Sequence, residues 1–323
     1  MQILVTCFLL RFYPNISHFN LNIHGVQLFM LTRFRSFLWL IAMPLLVSCA
    51  SIESMQIVSN THAASNENQL CHVPVMSEQT VSDRGLDPEK INFLTWNIYK
   101  GNGEGWQKDL AKFAKNHDLM AIQEATLDQE FTGLLESNDF NWIMNSAFQM
   151  NGTTAGVMTV AHLNAVYSCG MKVREPIIRL PKSTLVSYYD IEGSDEKLLV
   201  ANIHGINFTL GTGVYREQLE QLYDAVKDHH GPMIVAGDFN SWSDDRMIEV
   251  NHLVKRLSLS QIEYPINNKT HVFGKAIDHV FYRQLEPLSN QVWQVSSSDH
   301  NPISVNFRFK EKSTGSMMVS DRF

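Results

Sequence analysis

Asn97, Glu124, His204, Asp238 with Asn240, Asp278, and Asp299 with His300 have the types and positions to do chemistry in this 323-residue chain. Each stands at the end of an apolar run or in the loop beside one. Carboxylate and amide oxygens of this kind can hold one hard divalent cation such as Mg2+, with Mn2+ as an alternative. Two imidazoles can donate to phosphate oxygens or move protons. The set suits metal-assisted hydrolysis of a phosphate ester, in which the cation eases charge on the phosphorus oxygens and a positioned water attacks in line. Each residue also has a plainer reading when taken singly. Asp299 and His300 could be a surface loop pair, Asn97 a strand cap, and Glu124 a buried ion-pair partner. His279, inside a strand, reads as a packed structural histidine. A serine nucleophile at Ser296–Ser298 is discounted because no glycine elbow surrounds it. The joint pattern is what favours chemistry.

The elements that must position these groups are legible as short apolar runs. Met233-Ile-Val-Ala-Gly-Asp-Phe-Asn240 is the central one. Its apolar start predicts a buried strand, Gly237 lets the backbone turn, and Asp238 and Asn240 are presented at the C-terminal end. Ligand-binding groups collect at such ends in layered α/β folds. Strands are likewise predicted over Ile91–Asn97, Leu119–Glu124, Gly156–Ala161, Ala165–Ser168, Thr184–Ile191, Lys197–Ile203, Ala276–Tyr282 and Ile303–Phe309. Trp106, Leu110, Phe113 and Ala114 recur at helical spacing, as do Leu219, Leu222, Tyr223 and Val226 within Tyr215–His229. Helices are also predicted from Asp128 to Glu136 and, capped by Asp244 and Asp245, to about Leu257.

Hydrophobic residues make up 44% of the chain, ordinary for a globular body. The formal charge is −7. Residues 1–49 contain Arg11, Arg33 and Arg35 and no acid, so the body is more acidic than the whole. That argues against a broad non-specific nucleic-acid surface, although a bound cation would supply local positive charge. Residues 1–29 read as either non-translated upstream sequence or an extra N-terminal extension. Residues 30–49 read as a signal peptide: Arg33 and Arg35 precede an apolar core from Phe37 to Leu46, and Leu46-Val47-Ser48-Cys49 resembles a lipobox. Cys49 would then be lipidated. With Met30 as start, the protein is expected in the envelope as an outer-membrane lipoprotein facing the periplasm. With another start it would be cytoplasmic. Residues 50–82 read as a flexible tether, 83–309 as the folded domain and 310–323 as a polar tail. Cys71 and Cys169 could pair in an oxidising compartment, or stand as unrelated buried thiols.

Thr95-Trp-Asn97, Ile122-Gln-Glu124, Asn202-Ile-His204, Gly237-Asp-Phe-Asn240, Ile277-Asp-His279 and Ser298-Asp-His300-Asn-Pro302 occur in one order across the body. In this the chain resembles the endonuclease/exonuclease/phosphatase superfamily, the fold of deoxyribonuclease I. Trp96-Asn-Ile-Tyr-Lys100, Arg174-Glu-Pro-Ile-Ile-Arg179, Asn202-Ile-His-Gly-Ile-Asn207 and Phe281-Tyr-Arg283 make it most similar to the bacterial YafD-like proteins. The resemblance implies an α/β fold, a four-layered α/β sandwich with two packed mixed β-sheets flanked by helices. It implies Glu124, Asn97 and Asp299 at a metal, and Asp238 and Asn240 holding the attacking water and the phosphate. His204 and His300 would contact the phosphate or leaving group, and Asp278 would orient His300. Charge and position add Arg179 and Lys182 as phosphate contacts. The expected activity is a metal-dependent phosphodiester hydrolase of nuclease type, acting as a monomer with nucleic acid as leading substrate. A phosphatase or phospholipid head-group phosphodiesterase is the alternative, and a non-catalytic envelope binding module another. Against the lipid reading, the sequence shows no exposed aromatic hairpin.

Overall fold

A computed structural model describes residues 57–61, 71, 82–150 and 152–310. The signal segment with Cys49, most of the expected tether and the polar tail after Lys310 lie outside the described residues. The elements run β1 (Ile57–Ser59), β2 (Ile91–Asn97), α1 (Trp106–Ala114), β3 (Leu119–Thr126), α2 (Gln129–Glu136), β4 (Asn141–Met150), β5 (Thr153–Ala161), β6 (Tyr167–Arg174), β7 (Pro181–Asp190) and β8 (Lys197–His204). After them come α3 (Gly213–Val226), β9 (Met233–Asp238), α4 (Asp244–Arg256), β10 (Ser260–Gln261), β11 (His271–Val272), β12 (Lys275–Ala276), β13 (Asp278–Arg283), β14 (Leu285–Val292) and β15 (Ile303–Phe309).

Two mixed sheets stack face to face. One has the order β1-β4-β5-β3-β2-β15-β14, the other β10-β13-β9-β8-β7-β6. Each holds one parallel pair at its centre, β2 with β3 and β8 with β9. Strand alternation sorts the side chains into layers. On β2, Ile91 and Phe93 enter the apolar core between the sheets, while Leu94 and Trp96 face α1 and α2. On β9, Ile234 and Ala236 join that same inner core, and Met233 and Val235 pack under α3 and α4. The four-layered sandwich follows from this two-faced burial.

The inner core is not wholly apolar. Gln123 and Asn202 are fully buried, and Gln123 Nε2 donates to Asn202 Oδ1 across the sheets at 2.7 Å. Asn202 Nδ2 in turn donates to Met158 O at 2.9 Å. Buried amides of this kind must be paired, so they fix the register of one sheet on the other.

Several sequence expectations need correction. Ile57–Ser59, assigned to the tether, pairs antiparallel with β4 as an edge strand. Cys71, also assigned there, forms a disulfide with Cys169 of β6, Cα to Cα 5.3 Å. The strand expected at Ala165–Ser168 starts at Tyr167 and runs to Arg174. α3 ends at Val226, short of His229. The N-cap of α4 is Ser243, whose side chain accepts from Arg246 N, so Asp244 and Asp245 lie in the first turn. There they suit the positive end of the helix dipole. Strands β4 and β14 were not foreseen.

Candidate active site

The alternation that builds the core also builds the site. Asn97 continues the inner face of β2, His204 that of β8, Asp238 that of β9, and Asp278 opens β13 directly opposite Asp238. These positions form one polar layer at the C-terminal ends of the two parallel pairs. Glu124 would break the rule, because its neighbour Gln123 already faces inward. The β3–β5 register shifts between Ile122 and Ala125, and Glu124 sits at φ 54°. This bulge turns the Glu124 carboxylate to the site side of the strand. Gly237 has φ 140° and its α-carbon faces Ile203 O so closely that a Cβ would collide with it, so glycine is required there.

Asp238 is the hub. Its Oδ1 accepts from Asn240 N at 2.8 Å, and its Oδ2 accepts from Asn97 Nδ2 at 3.1 Å and Asn240 Nδ2 at 3.2 Å. The Asn97 bond spans the two sheets. Burial pushes the Asp238 carboxyl above the ordinary carboxylate range, nearby His300 opposes the shift, and Asp278 reinforces it. His300 Nδ1 lies 3.0 and 2.9 Å from the two oxygens of Asp278, and its Nε2 lies 3.8 Å from Asp238 Oδ2. Burial alone would discharge this imidazole, but Asp278 and Asp238 overcome it and raise His300 to about 10. His300 is therefore an imidazolium with Nε2–H free to donate. Its backbone is fixed by Ser298 Oγ, which accepts from His300 N at 3.1 Å and donates to Asn97 O at 2.6 Å.

His204 is the opposite case. Its Nε2 lies 2.6 Å from Lys182 Nζ, 3.5 Å from Asp238 Oδ2 and 3.8 Å from Glu124 Oε1. Burial and then Lys182 hold it well below the usual histidine value, so it is neutral and its Nε2 accepts from the ammonium. Burial works to raise Glu124, but Lys100 and, further off, Lys182 hold it far below the usual carboxylate range.

The structure thus brings together Asn97, Glu124, His204, Asp238, Asn240, Asp278, His300 and Lys182. Asp299 stands at the rim, with 35% of its side chain exposed and Oδ1 4.0 Å from His300 Nε2. Arg179 is exposed on a turn closed by its own N–H to Glu175 O at 2.9 Å, and no described hydrogen bond or ion pair joins it to the cluster. His279 is buried with Nε2 2.7 Å from Ser241 Oγ and packs on Phe239 and Phe281, the structural role its strand position suggests.

Lys100 was not singled out as a site residue. Its ammonium pairs with Glu124, and it follows Tyr99 in a turn where both residues have positive φ. Arg246 was missed as well. It is buried, and its guanidinium donates to Ile206 O, Asn240 O and Asn207 O at 2.6, 2.8 and 2.7 Å. It thereby clamps the loops after His204 and after Asp238. Glu175 Oε1 receives Asn207 N at 2.6 Å on the same loop.

Asp238, Asp278 and His300 offer ligand atoms within 4.8 Å of one another. The charged, doubly bonded state of His300 makes it a poor ligand, since metal coordination needs a neutral ring nitrogen. The oxygen donors Glu124, Asn97 and Asp299 have the chemistry a hard divalent ion prefers. Glu124 already needs a cation beside it, which Lys100 supplies in the present state.

A family model described as Endonuclease/Exonuclease/phosphatase family matches residues 94–300. A UPF0294 protein of Vibrio campbellii is 40% identical over 226 residues, covering 69% of this chain and 79% of the relative. Among solved structures, the human Nocturnin catalytic domain with bound sulfate aligns at TM-score 0.54 and 18% identity, covering 70% of this chain and 97% of that one. The Bacteroides thetaiotaomicron mannosyl-6-phosphatase aligns at TM-score 0.55 and 16% identity, covering 68% and 100%.

Proposed function

The chain belongs to the endonuclease/exonuclease/phosphatase family, hydrolases of phosphoester bonds that use divalent metal ions, and on that premise we propose that it is a Mg2+-dependent phosphodiesterase acting on nucleic acid. The observation that carries the reading is the convergence, at one end of the sandwich, of a proton-accepting Asp238 and a protonated His300. Glu124, with Asn97 and Asp299, would hold the metal. When bound it supplies Lewis-acid relief of charge on the phosphoryl oxygens.

The chain's own residues do the remaining work. Asp238, raised by burial, accepts the proton of the water as the water oxygen bonds to phosphorus. Asn240 and Asn97 hold the Asp238 carboxylate in one orientation through three hydrogen bonds. The bond from phosphorus to the leaving oxygen breaks, that oxygen takes a proton from solvent, and His300 presents its Nε2–H to the phosphoryl group as charge builds. Asp278 keeps His300 charged and fixes the ring. Lys182, held by neutral His204, is a second positive donor on the Glu124 side.

The protein works outside the cytoplasm in this reading, tethered through a lipidated Cys49. The Cys71–Cys169 disulfide supports an oxidising compartment.

The test is hydrolysis by the full chain of supercoiled DNA, single-stranded RNA, bis-p-nitrophenyl phosphate, p-nitrophenyl phosphate and phospholipid vesicles, with Mg2+ and with EDTA. Metal-dependent loss of polynucleotide is expected, and His300→Ala should lower it by a factor of about 10^2 or more. Activity confined to monoesters or lipid would replace the nuclease reading with the phosphatase or head-group alternative.

A further inference from the structure

The sequence suggests no exposed aromatic hairpin, yet the structure has one. Strands β11 and β12 pair His271 with Ala276 and Val272 with Lys275, leaving a two-residue turn of Phe273 and Gly274. Phe273 is 84% exposed at its tip. Both turn residues have positive φ, 51° for Phe273 and 78° for Gly274. Turns of this kind favour Asn or Asp at the first position, and a bulky aromatic there is strained. The sequence thus accepts both a strained backbone and a large apolar ring in water at one residue. Local rules broken together in this way mark functional sites.

The ring has a fixed neighbour. Trp242 lies edge-on to Phe273 with centroids 5.9 Å apart and planes at 74°. Trp242 Nε1 donates to Asn207 Oδ1 at 3.0 Å, and the guanidinium of Arg246 lies 4.2 Å from its ring. The hairpin is also tied to the catalytic wall. β12 runs through Ile277 into Asp278, and Ser241 Oγ donates to Ala276 O at 2.9 Å. Asn301, next to His300, donates from its backbone N to Thr270 Oγ1 and from Nδ2 to Asn268 O, each at 2.8 Å. Phe273 therefore stands at the tip of a hairpin whose base runs along the chain into Asp278 and is hydrogen-bonded to Asn301, next to His300.

We propose that Phe273, braced by Trp242, is a stacking platform for the nucleobase flanking the scissile phosphate on the His300 side. This rests on the nucleic-acid reading above and adds to it a residue that selects substrates. A base needs only one open aromatic face, whatever its identity. An acyl surface needs a contiguous apolar patch. The exposed Lys275–Asp244 ion pair puts charge at the hairpin's foot, two residues from Phe273. That favours a base over a bilayer.

The test compares kcat/KM of the full chain on a single-stranded oligonucleotide and on the same strand with tetrahydrofuran abasic residues beside the cleaved phosphates. Wild type should prefer the base-bearing strand by about ten- to hundred-fold. Phe273→Ala should bring that ratio towards one, and Phe273→Tyr should retain it. A ratio that Phe273→Ala does not alter overturns the proposal. If wild type cleaves neither strand, the nuclease reading fails by itself. The platform is then read by equilibrium binding of the two strands to His300→Ala, alone and combined with Phe273→Ala. A base preference that needs Phe273 upholds the platform, and equal binding of the two strands overturns it. Phe273-dependent partition onto phosphatidylethanolamine/phosphatidylglycerol vesicles without a base preference also overturns it, in favour of a lipid surface.

Discussion

At the scale of single residues, the site works by giving like groups unlike states. His204 and His300 are both buried, yet Lys182 holds one neutral and Asp278 holds the other charged. The clearest consequence concerns Asp278. His300 titrates near 10 in the folded protein and near 6.5 when unfolded. Its folded value is the higher one, so the stabilisation it contributes is complete below about 6.5 and is lost as pH rises through about 10. Asp278→Asn removes the strongest attraction, leaving burial to act with less opposition. The His300 imidazole should then titrate well below 10, and the alkaline edge of stability should move down with it. Ring-nitrogen NMR of His300 in EDTA reads this directly, and an unmoved titration would show that Asp278 is not what keeps the ring charged. The polar residues of this site could be read from the sequence because alternation carries them from an apolar strand into the site. Lys100 could not, because at positive φ its side-chain direction follows no strand period.

At the scale of elements, the loops that follow His204 and Asp238 have little regular structure and are held by a helix. α4 reaches back through Arg246, whose three bonds go to the carbonyls of Ile206, Asn207 and Asn240. A planar fork can meet three acceptors at fixed angles, and an ammonium on a flexible stem cannot do so equally well. Arg246→Lys should therefore fail to rescue. Stability should fall by about 3 kcal/mol from buried carbonyls left unpaired. The catalytic loops should loosen, with kcat falling more than KM rises, by a factor on the order of ten. Denaturant unfolding and steady-state kinetics measure the two effects, and wild-type stability in the lysine variant would refute the clamp. The elements legible in sequence were the buried ones, β2, β3, β8 and β9, whose apolar runs leave little ambiguity. β14, with Glu286, Pro287, Ser289, Asn290 and Gln291, hides its strand character because it is an edge with a register shift at Pro287/Ser289. β4 is masked by Asn141, Asn145 and Ser146. Asn145 is polar for a reason only the tertiary structure reveals: its Nδ2 donates to Met171 O and Thr184 O in the facing sheet.

At the scale of the whole molecule, two described pieces of the chain before β2 are fastened to edges of the sandwich. β1 extends the first sheet beyond β4, and Cys71 is fastened to β6, the edge strand of the second. Composition alone made this segment a tether, because Ser, Asn, Gln and Thr dominate it and no period runs through it. Two long-range contacts, invisible to local pattern, order parts of it. The disulfide joins residues 98 apart in sequence, a long loop to close in the unfolded chain. In the chain-entropy account such a link restrains the unfolded ensemble strongly, and removing a native one costs about 2–5 kcal/mol. Reduction by dithiothreitol should thus lower Tm by an amount on the order of 10 °C for a body of this size. Cys169→Ser should melt at the temperature of the reduced wild type and should no longer respond to reductant. The bond lies on β6, whereas Asp238, Asp278 and His300, which carry the proton-transfer chemistry, hang from β9, β13 and the loop before β15. The reduced protein should therefore retain its initial hydrolysis rate well below its Tm, separating what holds the sandwich closed from what does the chemistry. A Tm indifferent to reductant, with two new thiols titrated, would mean that the segment is held by β1 and packing rather than by the covalent link.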